Sequence, residues 1–541
     1  MKALLQQMFS RKTISELADD EEGHGPRLKR ELGAWDVFAA GVAAIIGTGI
    51  FVLTGVAAAN NAGPGIILSF VLAGLVCGFV SFAYSELASM IPKSGSAYTY
   101  AFATLGEFVA WFIGWDLLLE YCIGSSAVAV GWSAYMQHIL KDLGVWISKA
   151  DVMYQWGLFP GGVDLTLPAW LAQAPADMPW NHVVLGLVCF GFGLMAIMQS
   201  KQILLRVLGA GGMLVGIYHG VLAAMHITSI DILAVGIIAV INYWLVQGVR
   251  HTARMTSIFV VVKLAVILLF IAIGVSHVET SNFVPFLPFG FHGVLAGAGV
   301  VFFAFIGFDA VSTQAEECKN PSRDMPIGII GSLLVSAVLY VAVAAVMTGI
   351  VPYHQLGVAA PMALVMEKIG ALWASPLVSL GAIAGITSVL IVCLFGQSRV
   401  MMSMSRDGLI APIFSRINPS YGTPVVSILF WGTVAALTAG LIPINELAEL
   451  TSIGTLAAFV VVCCGVILLR YKEPDRPRKF RCPGFPWVPA LGAIFSLVLM
   501  LSLPWTTWLR FLGWMAIGVA IYLSYGRFNS VHHKLEEEKK K

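Results

Sequence analysis

Long apolar runs separated by short polar segments recur from Ala34 to Tyr525. A helix that crosses a bilayer needs about 20 mostly apolar residues, and fourteen runs reach or approach that length. The pattern predicts an all-α polytopic membrane protein. The predicted spans are Ala34–Asn60, Gly65–Met90, Phe102–Met136, His182–Gln199, Ile203–Ile227, Ile230–Val249, Met255–Val275, Phe291–Ala315, Pro326–Val351, Ser375–Met402, Pro424–Leu441, Ala448–Leu469, Val488–Leu503 and Trp505–Tyr525.

The composition supports this class of protein. The 541 residues are 58% hydrophobic and only 11% charged, whereas a soluble domain has roughly a quarter charged residues. The eight cysteines lie mostly in apolar runs without metal-binding spacing, so neither a disulfide framework nor a zinc site is indicated. No nucleophile–base set or phosphate-binding loop stands out. We therefore expect no enzyme, no cofactor, no metal and no nucleic-acid partner.

Lysine and arginine concentrate in alternate loops, which predicts the orientation in the membrane. The loops that hold neither residue are Asn60–Gly65, Ser276–Gly290 and Leu441–Glu446. The start of the chain lacks the short apolar core of a signal peptide. We therefore predict both termini in the cytoplasm of a protein of the inner (cytoplasmic) membrane. The predicted divisions are a cytoplasmic segment 1–33, one transmembrane domain 34–525 and a cytoplasmic tail 526–541.

Glycines interrupt two of the apolar runs near mid-span. Gly47 and Gly49 flank Thr48 in "AAIIGTGIFV", and Gly307 is followed by Asp309 in "FFAFIGFDA". An unpaired backbone group in hydrocarbon costs several kcal/mol, so a broken helix there needs a reason. Close packing of a neighbouring helix is one alternative. Breaks at corresponding positions of two halves instead indicate a transporter site between inverted repeats.

Such breaks offer chemistry from the backbone itself. Freed N–H groups and the helix dipole suit an anionic group, and freed carbonyls suit an ammonium group. An α-amino acid carries both groups on one carbon. The two glycine breaks therefore favour an amino acid as the ligand.

Four ionisable residues lie well inside spans, where each costs on the order of 3 kcal/mol at mid-bilayer. They are Asp116, Glu120, Lys263 and Asp309. Asp116 and Glu120 are four residues apart and share one helix face. We predict that all four take part in proton coupling and that Glu120 also faces the substrate. One alternative is that Asp116, Glu120 or both pair with a neighbouring basic or polar group and have a structural role. Another is that Asp309 caps a helix. Glu86, at an inner span end, is expected to be solvated rather than part of a gate ion pair.

Four motifs resemble the amino acid–polyamine–organocation (APC) superfamily and, within it, bacterial members of the cationic amino acid transporter family. They are "GTGIF" in the first span, "PKSGSAYTYAFATLGEFVAWFIGWDLLLEY" at Pro92–Tyr121, "FAFIGFDAVSTQAEECKNPSRDMPIGI" at Phe303–Ile329 and "GQSRVMMSMSRDGLIAP" at Gly396–Pro412. The resemblance covers Gly33 to Tyr525. It implies two inverted five-helix repeats with broken first and sixth core helices, followed by two C-terminal helices.

The resemblance also implies a site. It assigns the substrate carboxylate to the backbone of Gly47, Thr48 and Gly49. It assigns the amine to the carbonyls of Ile45, Phe303 and Ile306, and it places Phe303 and Phe308 where aromatic rings line or gate the pocket. It places Lys263 beside the first break, where a sodium ion lies in sodium-coupled relatives. Because desolvation disfavours a charged lysine, we predict that Lys263 releases a proton when the cytoplasmic side opens.

The predicted function is proton-coupled symport of L-amino acids by alternating access. An amino acid or polyamine exchanger and a non-transporting amino acid sensor are the alternatives. Residues 182–227 depart from the family pattern, and we interpret them as an inserted helical hairpin, with a re-entrant hairpin or a dimer contact as alternatives. The sequence ranks neither the substrates nor the oligomeric states.

Overall fold

The computed structural model of the protein describes residues 8–12, 32–91, 93, 95–149, 166–167, 173 and 229–540. Within these residues the regular structure is helical. Eight of the described helices are long and apolar enough to cross a membrane, and four further apolar helices have 10–17 residues. Each predicted span overlaps one of these helices, apart from the two in the predicted hairpin 182–227, which lies outside the described residues.

We number the main helices in chain order and leave short 3₁₀ and π turns unnumbered. The helices are α1 Ala34–Ile45, α2 Ile66–Met90, α3 Ser96–Thr104, α4 Glu107–Lys149, α5 Ile232–Gln247, α6 Val249–Gly274, α7 Gly290–Val301, α8 Pro321–Ile350, α9 Pro361–Lys368, α10 Ala374–Arg406, α11 Val425–Leu441, α12 Ile444–Lys472, α13 Trp487–Leu501, α14 Trp505–Ile521 and α15 Val531–Lys540.

The third predicted span has a different start from the one the hydropathy suggests. Phe102 belongs to the short helix α3, and the chain turns at Gly106 before α4 begins. Gly106 has φ +112°, and the backbone of Phe9 lies 2.8 Å from where a Cβ would be. Only Thr104, Gly106 and Glu107 interrupt the apolar residues around this turn, so hydropathy averaged over a whole span does not reveal it.

The two glycine-interrupted spans meet inside the helix bundle. α8 packs on α1 and α2, while α10 and α12 pack on α4. A Cβ on Gly49 would overlap the Cα of Ala304, so the two interrupted segments touch through their backbones. This contact is the centre around which the site is built.

Candidate functional site

The first break separates α1 from the π-helical turn Gly49–Leu53. Ile46 is extended, with φ −80° and ψ 101°, and ends the α1 hydrogen bonding. A Cβ on Gly47 would lie 2.6 Å from Val389 Cγ2 of α10. Glycine is therefore needed here for close approach to α10, and at Gly49 for approach to the second break.

The second break follows the 3₁₀ turn Phe302–Phe305. Gly307 has φ +117°, a conformation that other residues rarely adopt, and a Cβ there would lie 2.7 Å from the carbonyl oxygen of Ala44. Asp309 Oδ1 accepts the Gly307 N–H at 3.1 Å, and the Tyr121 hydroxyl donates to Oδ2 at 3.4 Å. Asp309 occupies the N-cap position of the next 3₁₀ segment, but its carboxylate bonds back to the turn.

Tyr340 of α8 connects the two breaks. Its hydroxyl lies 2.8 Å from the carbonyl oxygen of Ile45 and 2.8 Å from that of Ala304. A phenol has one proton, so it donates to one carbonyl at a time. Tyr340 does not stand out in the sequence, because it lies in the apolar run "SAVLYVAVAAV". The available signal was general: a tyrosine inside a span needs a partner for its hydroxyl.

A cavity of about 30 Å³ lies between the two breaks. Its lining consists of Ala44, Ile45, Gly47, Thr48, Gly49, Glu120, Tyr121, Gly124, Val128, Phe303, Ile306, Val389, Cys393 and Thr451. The structure therefore brings together every predicted substrate-binding residue except Phe308. The Phe308 ring instead packs against the rings of Tyr84 and Phe459, with centroids 5.7 and 5.1 Å away.

The cavity has two chemically different walls. The two breaks supply one wall, and α4, α10 and α12 supply the other. The second wall includes the apolar residues Val128 and Val389, the Cys393 thiol, the hydroxyl-bearing residues Tyr121 and Thr451, and one carboxyl group, that of Glu120. Neither Glu120 oxygen has a hydrogen-bond partner among the described residues. A substrate side chain directed at this wall would meet apolar residues together with two hydroxyl-bearing residues and one acidic group.

Asp116 lies one helical turn from Glu120, toward the start of α4. It is fully buried, and within the described part of the chain neither of its oxygens has a hydrogen-bond partner. Gly454 of α12 faces it, since a Cβ on that glycine would lie 2.7 Å from Asp116 Oδ1. Asp116 does not line the cavity. The structure thus places one carboxyl group in the cavity wall and a second one behind it.

Lys263 of α6 lies beside the first break, outside the cavity lining. Its side chain is fully buried, and Nζ donates to Ala43 O at 2.9 Å, to Ile46 O at 2.8 Å and to Ser388 Oγ at 3.0 Å. An ammonium group has three donors, and all three are used. One group therefore joins α6 to the end of α1 and to α10.

Glu86 corrects one expectation. It was predicted to be a solvated span end, but it is buried and paired with two arginines. Arg470 Nε donates to Oε1 at 2.9 Å, Arg478 Nε lies 3.2 Å from the same oxygen, and the Cys482 N–H donates to Oε2 at 2.7 Å. We call these four residues the Glu86 cluster. Burial and the Glu86 charge raise the pKa of the Cys482 thiol to about 12.

The family model for amino acid permeases matches residues 32–521. The chain belongs to this family. The permease is therefore a multi-pass transporter of the APC superfamily and not an enzyme. It is 43% identical over 524 residues to a branched-chain amino acid permease of Bacillus subtilis (strain 168), which covers 97% of this chain and 98% of the relative.

Two other relatives are named for different substrates. A methylthioribose transporter of Bacillus subtilis (strain 168) is 39% identical to the permease over 527 residues, covering 97% of this chain and 99% of the relative. The chloroplastic cationic amino acid transporter 9 of Arabidopsis thaliana is 31% identical over 572 residues, covering 94% and 89%. The relatives support amino acid transport as the general activity.

Proposed function

We propose that the permease performs proton-coupled symport of L-amino acids across the cytoplasmic membrane by alternating access. The proposed architecture is two inverted five-helix repeats around the two breaks, with both termini in the cytoplasm. The observation that carries the proposal is the cavity between the breaks, together with the buried Lys263 ammonium on the main chain of the first break.

In this proposal, main-chain groups of the two breaks hold the amino and carboxyl groups of the substrate. The N–H groups of Gly47, Thr48 and Gly49 are proposed to bind the carboxylate, as donors at a helix start suit an anion. The carbonyls of Ile45, Phe303 and Ile306 are proposed to accept from the ammonium group. If the carboxylate and ammonium groups are both fixed, only one enantiomer directs its side chain at the wall formed by α4, α10 and α12. This arrangement would select the L configuration.

Coupling is proposed to depend on the bonds of Lys263. The protonated side chain holds Ala43, Ile46 and Ser388 together. Opening toward the cytoplasm would admit water, which accepts the proton. The neutral amine keeps only two N–H donors, so at least one of the three bonds to Ala43, Ile46 and Ser388 is lost. In this proposal Glu120 and Asp116 carry the proton along α4, and the Asp309 carboxylate links their charge to the second break.

The side-chain wall and the relatives together order the candidate substrates. Val128, Val389 and Cys393 suit a branched aliphatic side chain, in keeping with the branched-chain permease among the relatives. An ionised Glu120 would suit a cationic side chain, in keeping with the cationic transporters. We therefore place branched aliphatic L-amino acids first and cationic ones second.

Uptake into proteoliposomes tests the proposal. A panel of labelled L-leucine, L-valine, L-arginine, L-lysine, D-leucine and methylthioribose is offered under an imposed proton or sodium gradient. We expect uptake of an L-amino acid driven by the proton gradient. Uptake driven by sodium alone would contradict the coupling, uptake only into preloaded vesicles would indicate an exchanger, and binding without uptake would indicate a sensor.

The Lys263→Ala variant tests the coupling residue. Removal of the ammonium group should abolish uptake driven by the proton gradient, because the group that couples a proton to the main chain of the first break is lost. Lys368→Ala is the matched control, since Lys368 is exposed on the short helix α9. Unchanged proton-driven uptake by Lys263→Ala would refute this role.

A further inference from the structure

The loop between α12 and α13 presents charges that the transport mechanism does not use. We call the segment from Lys472 to Trp487 the basic loop. Lys472, Lys479 and Arg481 are exposed on it, and none of them makes a hydrogen bond or ion pair with the residues that the structure describes. These three cations are therefore open to a partner outside the chain.

Buried interactions hold the basic loop in one conformation. The Arg478 guanidinium contacts Glu86 and donates to the carbonyls of Glu473 at 2.9 Å and Arg476 at 3.0 Å. Arg470 lies over the Phe485 ring, 4.6 Å from its centroid. The inward-facing arginines thus make their contacts within the protein, although the contact of Arg478 Nε with Glu86 is an ion pair without a hydrogen bond. The three exposed cations project from an ordered backbone, so a partner need not first order this loop.

Exposed aromatic residues mark both ends of the basic loop. Tyr471 is 67% exposed and Trp487 is 73% exposed, and each lies at a helix end. Tyrosine and tryptophan are enriched where membrane helices meet the headgroup layer. Exposed aromatic residues at both ends are therefore in keeping with a loop at the depth of lipid headgroups.

We propose that the basic loop binds the headgroups of anionic phospholipids through Lys472, Lys479 and Arg481. Charge complementarity supports a phosphate-bearing lipid, because basic residues near a membrane surface attract anionic lipids strongly. The aromatic ends favour a lipid over a soluble acidic protein, since such a partner would not need residues at headgroup depth. This inference is independent of the transported substrate and of proton coupling.

Native mass spectrometry of the full-length protein in detergent tests the proposal. The protein is titrated with dioctanoyl phosphatidylglycerol or, in parallel, dioctanoyl phosphatidylcholine, and bound lipids are counted. We expect the anionic lipid to be preferred. The triple variant Lys472→Gln, Lys479→Gln, Arg481→Gln should lose roughly tenfold or more in affinity for phosphatidylglycerol and little for phosphatidylcholine.

A second triple variant provides the control. Lys319→Gln, Arg323→Gln, Arg416→Gln removes the same charge from exposed positions predicted on the same membrane face, and it should bind phosphatidylglycerol as the unmodified protein does. An equal loss in both variants would overturn the proposal in favour of a general charge effect. Full displacement by millimolar glycerol phosphate would overturn it in favour of a soluble anion. Gel filtration and melting temperature establish that both variants are folded.

Discussion

The Tyr340 hydroxyl contacts the main chain of both breaks at once, although the residue itself lies in neither. Its ring packs on those of Phe70 and Phe305, with centroids 5.5 and 5.1 Å away. Packing therefore holds the ring in place, and the hydroxyl can donate a hydrogen bond to the carbonyl of Ile45 or of Ala304. Because Ile45 is also a proposed ligand of the substrate amine, the hydroxyl and the substrate would share one carbonyl.

Removal of this hydroxyl tests whether Tyr340 positions the site. In Tyr340→Phe the ring packing is kept, and the loss of a hydrogen bond of about 1 kcal/mol should raise KM for uptake several-fold while kcat changes less. Tyr84→Phe is the control, since the Tyr84 hydroxyl has no hydrogen-bond partner among the described residues. Equal KM values in Tyr340→Phe and the unmodified protein would show that the bridge does not position the ligands.

At the scale of elements, the two interrupted spans depend on close backbone contact. Gly49→Ala would drive a methyl group into Ala304, which belongs to the second break. We expect this variant to lose at least about tenfold in substrate affinity, because a forced separation of the breaks displaces both proposed sets of ligands. Isothermal titration or a thermal-shift assay with substrate measures the loss.

Gly78→Ala is the matched control for that substitution. Gly78 also lies inside a span, in α2, but a Cβ there meets no atom within 4 Å. Alanine is favoured over glycine in a helix by about 1 kcal/mol, so this variant should be neutral or slightly more stable. Similar losses of affinity in both variants would mean that the close contact at Gly49 has no special importance.

Hydropathy and glycine spacing predicted the helices and the two interruptions, because both are local features of the sequence. The turn at Gly106 was not predicted because only a few polar residues interrupt the apolar residues on its two sides. Partners distant in sequence escaped for a different reason: Tyr340 meets a carbonyl 295 residues away, and Glu86 meets Arg470, 384 residues away. One sequence contains no periodicity that links such positions. The resemblance supplied the proposed main-chain ligands of the site and could not supply these distant partners.

At the scale of the whole molecule, the Glu86 cluster fastens the C-terminal end of α2 to the end of α12 and to the chain segment that follows it. The Glu86 carboxylate accepts one hydrogen bond from Arg470, near the end of α12, and another from the N–H of Cys482, in the basic loop. Since α2 packs on α8, any movement of this helix pair relative to α12 must stretch or break the cluster.

Cys482 reports on the integrity of the cluster. Because its pKa is raised to about 12, the group stays a protonated thiol at pH 8 and should react with maleimide very slowly. Glu86→Gln removes the nearby charge, which lowers this pKa toward its usual value, and loosens the arginines. Labelling of Cys482 at pH 8, followed by peptide mass spectrometry, should therefore become several-fold faster.

Asp475→Asn is the control, because it removes an exposed carboxylate from the same loop without touching the cluster. It should leave the labelling rate of Cys482 unchanged. A Glu86→Gln protein that labels no faster than this control would show that the cluster does not protect the thiol.

The size of the central cavity bears on how the permease discriminates between substrates. A space of about 30 Å³ holds about two water molecules by the same measure, so this conformation cannot contain an amino acid. A substrate must therefore bind to a conformation with a larger cavity. Its measured affinity is the intrinsic affinity for that conformation multiplied by the fraction of molecules that adopt it. Selectivity then becomes partly a matter of conformational equilibrium: two amino acids with equal contacts can differ in uptake because they require different amounts of expansion.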